Sequence, residues 1–534
     1  MKTIYYGGSI LTMEQPDDYP EAVLVENGII RKTGTLNAVT SIAGKRVQKI
    51  NLEGKCLMPS FIDSHSHVAL NGQMALFADL SGCTCFEHIV NVMKKYVKDN
   101  KISSNGVAVG FGYDHNFLDE QTQPGRSVLD QISTEIPILI LHVSGHLGCV
   151  NSKMIELVGI TKDTPDPKGG KYGRYADTGE PDGYLEESAM MQFQTLMGKR
   201  IKPDIMKILK GMQKKYIENG VTTIQEGAAN DGYMKLLKLA DLLGQLKVDV
   251  VAYPLLSTDG KDLCNKNPRM IKKYKKHIKI GGYKMILDGS PQGRSAWMSE
   301  PYLGGEADYC GYPWIADEEA YEYAKTAIED GMQLLTHCNG DAASEQFLNA
   351  YEKALASVDK ADKNDLRPVM IHCQTVRNDQ LDRMIPLKMI PSIFVGHVYY
   401  WGDVHMKNFG SNRGHHISPA KDALNRNLTI NFHQDTPITH PNMLHSVWCA
   451  VNRLSRQGNV IGEDQKISVY DALKAVTINA AYEYFEEDSK GSIKEGKRAD
   501  LVILDKNPME ADPMEIKDIK VLETIKDGKT IYKL

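Results

Sequence analysis

Residues 61–68 read FIDSHSHV and place two histidines, His65 and His67, two positions apart after an apolar pair. If a strand continues through them, both imidazoles lie on one face, because side chains alternate along a strand. Two neutral imidazoles on one face suit a first-row divalent ion such as zinc. A surface strand whose histidines face water is the competing interpretation, so other ionisable residues must distinguish the two.

Four further residues with metal-binding or acid–base side chains occur in short apolar segments later in the chain. They are Lys284 in YKMILDG, His337 in MQLLTHCNG, His372 in PVMIHCQ and Asp435 in LTINFHQD. Each alone more often packs or pairs locally, but the whole set at matching strand ends would be unusual by chance. Imidazoles and carboxylates suit two zinc-like ions, and a lysine could join them only after carbon dioxide converts its amine to a carbamate. A hydroxide that bridges two such ions could attack a carbonyl, while Asp435 moves the proton to a leaving nitrogen.

The segments that carry these residues predict a parallel sheet. Eight short apolar runs follow one another: FIDSH, VTTIQ, VDVVAYPL, YKMILDG, MQLLTHCNG, PVMIHCQ, PSIFVGH and LTINFHQD. They do not alternate between apolar and polar residues, so both faces of each strand are expected to be buried under helices. Eight such units predict an α/β fold, a (β/α)8 TIM-like barrel, in which chemistry lies at the C-terminal strand ends.

The two chain ends and a long insertion complete the predicted architecture. Residues 1–57 and 488–534 alternate short β-rich runs with Gly-containing turns, which predicts a small β-sandwich domain formed from both termini. Residues 58–487 make up the barrel. Residues 68–202, after its first strand, are too many for a simple connection and contain strands of their own, so they predict an inserted lid or substrate segment.

Several longer motifs resemble the amidohydrolase superfamily, in particular its YtcJ-like metal-dependent hydrolases, over nearly the whole chain. GYDHNFL and HVSGHLGCVNS resemble the inserted segments of that family, YKMILDGSPQGRSA its lysine segment, and GSIKEGKRADLVILDKNP its C-terminal return to the β domain. The resemblance implies a homodimer with two divalent zinc-like ions per chain. The implied ligands are His65 and His67 on one ion, His337 and His372 on the other, carboxylated Lys284 as the bridge, and Asp435 as ligand and catalytic proton shuttle.

Residues near the predicted strand ends and in the insertion are candidates for substrate binding. They are Tyr113, His115 and His146 in the insertion, Glu226 after strand two, Arg294, and His397 and Tyr399 after strand seven. Loop packing or an internal hydrogen bond explains each of them as well, and Glu226 could instead pair with Arg294. His433 either reaches the pocket or is a buried structural histidine.

The leading hypothesis is a metal-dependent hydrolase of C–N bonds. It would cleave the amide bond of an N-acyl or N-formyl compound by attack of a metal-bridging hydroxide. One alternative is a deaminase-like hydrolase with one ion, in which His372 polarises the substrate and Lys284 stays an amine. Another is a non-catalytic regulatory or binding protein built on the same barrel.

Composition restricts the class of partner. The chain has 63 Lys+Arg and 68 Asp+Glu, a net charge of −5, which indicates no partner among nucleic acids or anionic membranes. No secretory start and no apolar run long enough to span a bilayer are evident. The nine scattered cysteines suit a reducing compartment. We therefore expect a cytoplasmic enzyme that acts on a small molecule.

Overall fold

A computed structural model describes residues 2–143, 145, 147–167, 170–201, 204–359 and 365–534. The chain forms two compact units. The larger unit comprises Met1–Ala69 together with Gln213–Leu534, and the smaller unit is the insertion Leu70–Met212. In the described ranges, no helix has both the length and the apolar character that crossing a membrane would require.

Short parallel strands form the centre of the larger unit. In chain order they are β1 (Phe61–Ile62), β2 (Val221–Ala229), β3 (Asp249–Pro254), β4 (Ile278–Ile280), β5 (Gly282–Ile286), β6 (Gln333–Cys338), β7 (Val369–His372), β8 (Ile390–Ile393) and β9 (Asn431–Phe432). One sheet has the order β4-β3-β2-β1, and the other has the order β5-β6-β7-β8-β9. Every neighbouring pair in both sheets is parallel.

All eight predicted segments occur as strands in the predicted order, the fourth as β5, and a further strand that the sequence did not predict, β4, precedes it. A bridge between Leu255 and Lys284 joins the two sheets. At the other end, the amide of Asp435 donates to the carbonyl of His65 at 3.1 Å, which joins the loops after β9 and β1. No strand ladder joins β9 to β1 within the described residues, so the α/β arrangement is established but a closed barrel is not shown.

Helices separate most of these strands. They are Asp231–Leu242 and Gly260–Lys266 around β3, Asp317–Asp330 before β6, Asp341–Ser357 after β6, Asn378–Met384 after β7, His397–His415 and Ala420–Asn425 after β8, and Met443–Asn452, Val469–Ala475 and Ile478–Glu483 after β9. Every residue of β3 and of β7 is buried. This burial explains why the strands read as apolar runs and not as alternating ones.

Strands from both chain ends pair with each other. One sheet has the order Ile29–Gly34, Ala22–Glu26, Lys2–Tyr6, Gln48–Asn51, and a second has the order Ser9–Ile10, Cys56–Pro59, Leu501–Leu504, Val521–Lys526, Lys529–Lys533. Helix Leu36–Ala43 precedes the strand Gln48–Asn51. Tyr5 and Val23 of the first sheet share one hydrophobic core with Leu57, Leu501 and Ile525 of the second, so the two termini fold together.

The insertion has its own six-stranded sheet. Its order is Gly170–Arg174, Pro181–Glu187, Leu147–Val150, Ile138–His142, Ala108–Tyr113, Ala78–Asp79. Its longer helices are Phe86–Asp99, Ser152–Val158 and Ser188–Arg200, while Val68–Met74 and Ile205–Glu218 contain its boundaries with the larger unit. The central strands Ala108–Tyr113 and Ile138–His142 are parallel, so their C-terminal ends lie at the same edge.

A buried ion-pair network connects the C-terminal segment to β3. Asp249, which is 1% exposed, accepts from Lys490 Nζ and Lys526 Nζ at 2.6 Å each and from Arg498 Nη1 at 3.0 Å. Burial disfavours its ionised form, but Lys490 and Lys526 outweigh that effect and hold the pKa of Asp249 well below its usual value. This carboxylate therefore neutralises several cations at once.

Asp249→Asn should destabilise the protein by about 3–5 kcal/mol, because it removes the buried carboxylate that Lys490, Lys526 and Arg498 share. Urea unfolding at neutral pH would measure the change, with exposed Asp518→Asn as the control. Because the folded-state pKa is lowered, the contribution is present above the unfolded pKa and is lost as pH falls through the folded one. The difference between wild type and variant should accordingly shrink in acid; equal stability at neutral pH would contradict the prediction.

Candidate metal centre

The structure brings together the six residues that the sequence nominated as metal ligands. His65 and His67 follow β1, Lys284 lies in β5, His337 in β6, His372 ends β7, and Asp435 follows β9. The ring centroids of His65 and His372, from distant strands, lie 5.6 Å apart. One donor atom each from His65, His372 and Asp435 lies within 4.8 Å of the others.

His65 and His67 converge for a different reason than strand alternation. The strand β1 ends at Ile62, and His65 lies in a bend beyond it. His67 forms an isolated bridge with Glu226 of β2. The two Nε2 atoms nevertheless lie 3.6 Å (His65) and 3.3 Å (His67) from Asp435 Oδ1. The expected convergence is present, but a turn anchored on β2 produces it.

Gln225 determines which nitrogen of His65 faces the centre. Its Nε2 donates to the carbonyl of Ser64 at 2.6 Å, so its Oε1 is the atom that lies 2.6 Å from His65 Nδ1. His65 therefore donates from Nδ1 and keeps an Nε2 lone pair towards Asp435 and Lys284. Burial lowers the pKa of His65 well below its usual value, which favours the neutral imidazole that binds metal.

His337 and His372 face each other through ring nitrogens. His337 Nδ1 lies 3.0 Å from His372 Nε2, and His337 Nε2 lies 3.2 Å from the carbonyl oxygen of Gly289 and 3.0 Å from Asn339 Nδ2. Burial lowers the pKa of His372 well below its usual value, so its ring is neutral. A neutral His372 ring whose Nε2 faces a ring nitrogen of His337 fits a cation that both side chains bind.

A chain of hydrogen bonds orients His372 from outside the centre. His372 Nδ1 lies 3.2 Å from His433 Nε2, and His433 Nδ1 lies 2.9 Å from Ser392 Oγ. All three residues are buried. If His372 Nδ1 donates to His433, and His433 Nδ1 donates to Ser392, then His372 Nε2 keeps its lone pair for a metal. His433, for which both a pocket and a structural role were open, thus contacts a candidate ligand.

His433→Ala should weaken metal affinity about 10–100-fold, the usual effect of losing an outer partner of a ligating histidine. Competition for Zn²⁺ against a chromophoric chelator measures this, with His416→Ala, a half-buried histidine near Asp422, as the control. His433→Gln, which supplies an acceptor oxygen, should recover part of the affinity. Unchanged affinity in His433→Ala would exclude the orienting role.

Lys284 lies inside the cluster as a buried amine. It is 1% exposed, and its Nζ lies 3.4 Å from His65 Nε2. Burial lowers the pKa of Lys284 to about 8. A lysine with a lowered pKa supplies the neutral amine that reaction with carbon dioxide requires, and the carbamate would add two oxygen ligands. Asp435 Oδ1 is buried without a hydrogen-bond partner among the described residues, as expected of an atom reserved for a cation.

The residues nominated for substrate binding in the insertion have internal partners. Tyr113 is fully buried in the core of that unit and donates to Gln123 Oε1 at 2.8 Å. His115 lies 3.3 Å from His142 through ring nitrogens. His146 lies outside the described residues. The partners of Tyr113 and His115 fit roles within the insertion.

The other nominated substrate residues belong to the larger unit. Glu226 accepts from the amide of Ala69 at 2.7 Å, while Arg294 donates to Asn408 Oδ1 at 2.9 Å. These hydrogen bonds give Glu226 and Arg294 different partners. His397 and Tyr399 lie in the first turns of helix His397–His415 and not at a strand end. His397 is buried against His405, while Tyr399 is half-buried against His445 and Trp448.

Three supporting residues were not anticipated from the sequence. They are Gln225, Ser392 and Asp288. Asp288 accepts from the amides of Asn339 and Gly340 at 3.0 and 2.7 Å, and its Oδ1 lies 3.5 Å from His337 Nε2. A usable signal existed for Asp288, since it follows Lys284 by four positions at the end of the same segment. Gln225 and Ser392 are ordinary strand residues in the sequence.

A protein-family model described as "Amidohydrolase family" matches residues 48–532. The chain belongs to the amidohydrolase family. The resemblance inferred from the motifs is thereby confirmed, and the protein is a hydrolase of this family with the donor set of a divalent-metal centre. Its α/β fold is accordingly of the amidohydrolase type.

Relatives of this amidohydrolase-family chain match it almost end to end. The amidohydrolase YtcJ of Bacillus subtilis (strain 168) is 28% identical over 100% of this chain and 99% of its own. Protein LONG AFTER FAR-RED 3 of Arabidopsis thaliana is 27% identical over 98% and 90%. N-substituted formamide deformylase of Arthrobacter pascens is 24% identical over 98% and 97%. The crystal structure of an uncharacterized metal-dependent hydrolase from Pyrococcus horikoshii OT3 superposes with a TM-score of 0.75 at 23% identity, covering 96% of this chain and 99% of its own.

Proposed function

We propose that the protein hydrolyses the C–N bond of an N-acyl or N-formyl amide, using water activated by divalent metal. The observation that carries the proposal is the contact between His337 Nδ1 and His372 Nε2, which lie 3.0 Å apart. The other ring nitrogen of His337 faces the carbonyl of Gly289, and the other ring nitrogen of His372 faces His433. With His65, His67 and Asp435 nearby, this donor set fits zinc better than magnesium or calcium, which prefer oxygen ligands.

The roles of the residues follow from their positions. His65 and His67 would hold one ion, His337 and His372 the other, and carboxylated Lys284 would lie between them. Bound divalent ions lower the pKa of a coordinated water towards neutrality and polarise a carbonyl. Asp435 Oδ1, 3.3 Å from His67 Nε2, would accept the proton of the attacking water and deliver it to the leaving nitrogen. Water adds to the carbonyl, and an amine and a carboxylic acid leave.

The name of one relative supports the choice of amide. N-substituted formamide deformylase aligns with nearly the whole chain at 24% identity, which favours a formyl or small acyl group on a substituted amine. A deaminase-like reaction at one ion is the alternative that the residues also permit, and it predicts ammonia as product. The two reactions differ in their products, so one assay separates them.

The test is a product screen on zinc-loaded full-length protein. N-formyl and N-acetyl derivatives of alkyl- and arylamines would be supplied as amide probes, with nucleosides and aminopyrimidines as deamination probes. We expect release of amine and formate or acetate, lost on chelation and restored by Zn²⁺. Ammonia release alone would favour the deaminase-like alternative, and metal-loaded protein without turnover would favour the binding protein.

The same proposal covers the closure of the barrel, the β-sandwich, the cellular location and the oligomeric state. The two parallel sheets would close into an eight-stranded barrel, and the two terminal sheets, which share a core, would form a β-sandwich. All nine cysteines are free, and seven of them are buried, which supports a reducing, cytoplasmic location. We propose a homodimer with a small-molecule substrate.

A further inference from the structure

A second group of potential metal ligands lies in the insertion. Asp114 follows the strand Ala108–Tyr113, His115 begins a short 3-10 turn, and His142 ends the neighbouring parallel strand. Because the two strands are parallel, the residues at their C-terminal ends lie at the same edge of the sheet. A shift in pairing between Leu141 and His142 adjusts this edge further, so that His142 pairs with Tyr113.

The distances among these three side chains are those of ligands around one ion. His142 Nε2 lies 3.3 Å from both His115 Nδ1 and Asp114 Oδ1, and His115 Nδ1 lies 3.9 Å from Asp114 Oδ1. The 3.3 Å separations are longer than a typical hydrogen bond of about 2.9–3.0 Å. A circle through three atoms so spaced has a radius of about 2.0 Å, the length of zinc–nitrogen and zinc–oxygen bonds.

The carboxylate of Asp114 supplies an independent observation. Asp114 is 7% exposed, and its Oδ1 already accepts from the amide and side chain of Asn116 at 3.0 and 2.9 Å. Its Oδ2 is buried without a hydrogen-bond partner among the described residues. A buried carboxylate oxygen without a partner carries the full cost of its desolvation. A cation bound through both oxygens of Asp114 would remove that cost.

We propose that Asp114, His115 and His142 form a second metal site, for Zn²⁺ or a similar first-row divalent ion, within the insertion. The site shares no residue with the six candidate ligands of the larger unit. Two imidazoles and one carboxylate are a typical zinc donor set, and three protein ligands leave a fourth position for water or an exogenous ligand. His115, whose side chain is 28% exposed, would be the ligand nearest to solvent.

Metal counting on the full-length chain tests this proposal. Metal-free protein would be dialysed against Zn²⁺ and analysed for bound zinc per chain, and Co²⁺ titration would report tetrahedral coordination by its visible absorption. We expect His142→Ala and Asp114→Asn each to bind one ion fewer than wild type. His88→Ala, which removes an exposed histidine of the same unit, should bind the wild-type number.

Two further variants make the outcome decisive. His115→Ala removes a partly exposed ligand, so it tests the site even if His142→Ala fails to fold, as judged by circular dichroism. The variant His65→Ala/His372→Ala should lose ions of the larger unit but keep the insertion ion, which separates failure of this proposal from failure of the proposed function. Equal zinc content and equal affinity in folded His115→Ala, Asp114→Asn and wild type would overturn the second site.

Discussion

Asp435→Asn should lower kcat/KM for the best amide probe about 10²–10⁴-fold, the usual contribution of a positioned acid–base group. The change keeps the size of the side chain but removes its ability to carry the proton from water to the leaving nitrogen. Asp435 Oδ1 lies 3.3 Å from His67 Nε2 and 3.6 Å from His65 Nε2, within the candidate metal centre.

The measurement pairs steady-state kinetics with metal content. A large loss of kcat in protein that still carries metal would support the proton-transfer role, whereas parallel losses of metal and activity would indicate that Asp435 acts mainly as a ligand. The matched control is Asp262→Asn, an exposed aspartate in helix Gly260–Lys266. Wild-type turnover by Asp435→Asn would be incompatible with the proposed enzyme.

Lys284→Arg should lower the metal bound at the centre of the larger unit from about two ions to one and reduce activity about 10³-fold. Arginine keeps the positive charge but cannot form a carbamate, and loss of one ion removes several kcal/mol of transition-state stabilisation. Burial of Lys284, which lowers its pKa to about 8, supports a reactive amine at neutral pH.

Carbon dioxide provides a test of the same residue without mutation. Protein stripped of metal and reloaded in buffer free of carbon dioxide should recover little activity, and added bicarbonate should restore both activity and the second ion. The control is Lys266→Ala, an exposed lysine, which should respond to bicarbonate like wild type. One ion at the centre of the larger unit and full activity without bicarbonate would leave Lys284 as an ordinary amine and favour the deaminase-like alternative.

The strands and ligand candidates were predictable because their signals are local. Each core strand is a short apolar run, and the two-sided burial of β3 and β7 is the physical cause of that pattern. His337 and His372 could be nominated because each lies at the end of such a run. The fold class followed from the order of these runs, since short parallel strands need helical crossovers between them.

The partners of those ligands could not be read from the chain. Gln225 meets His65 across 160 positions, and His433 meets Ser392 across 41. Nothing in the local pattern distinguishes a glutamine or serine that orients a ligand from one that merely fills a strand. The convergence of His65 and His67 was predicted, but the predicted cause, alternation along a strand, was wrong. The strand ends at Ile62, and a turn paired with Glu226 positions the two histidines.

The candidate metal ligands in the insertion show most clearly what the sequence reveals and what only the structure reveals. The sequence supplied Asp114, His115 and His142 in two motifs more than twenty positions apart, and offered His115 only as a possible substrate contact. Parallel pairing of Ala108–Tyr113 with Ile138–His142 brings the three side chains to within 3.3–3.9 Å. Residue types and the order of strands are properties of the linear chain, whereas donor distances and proton positions arise only when distant segments pack, because each depends on groups remote in sequence.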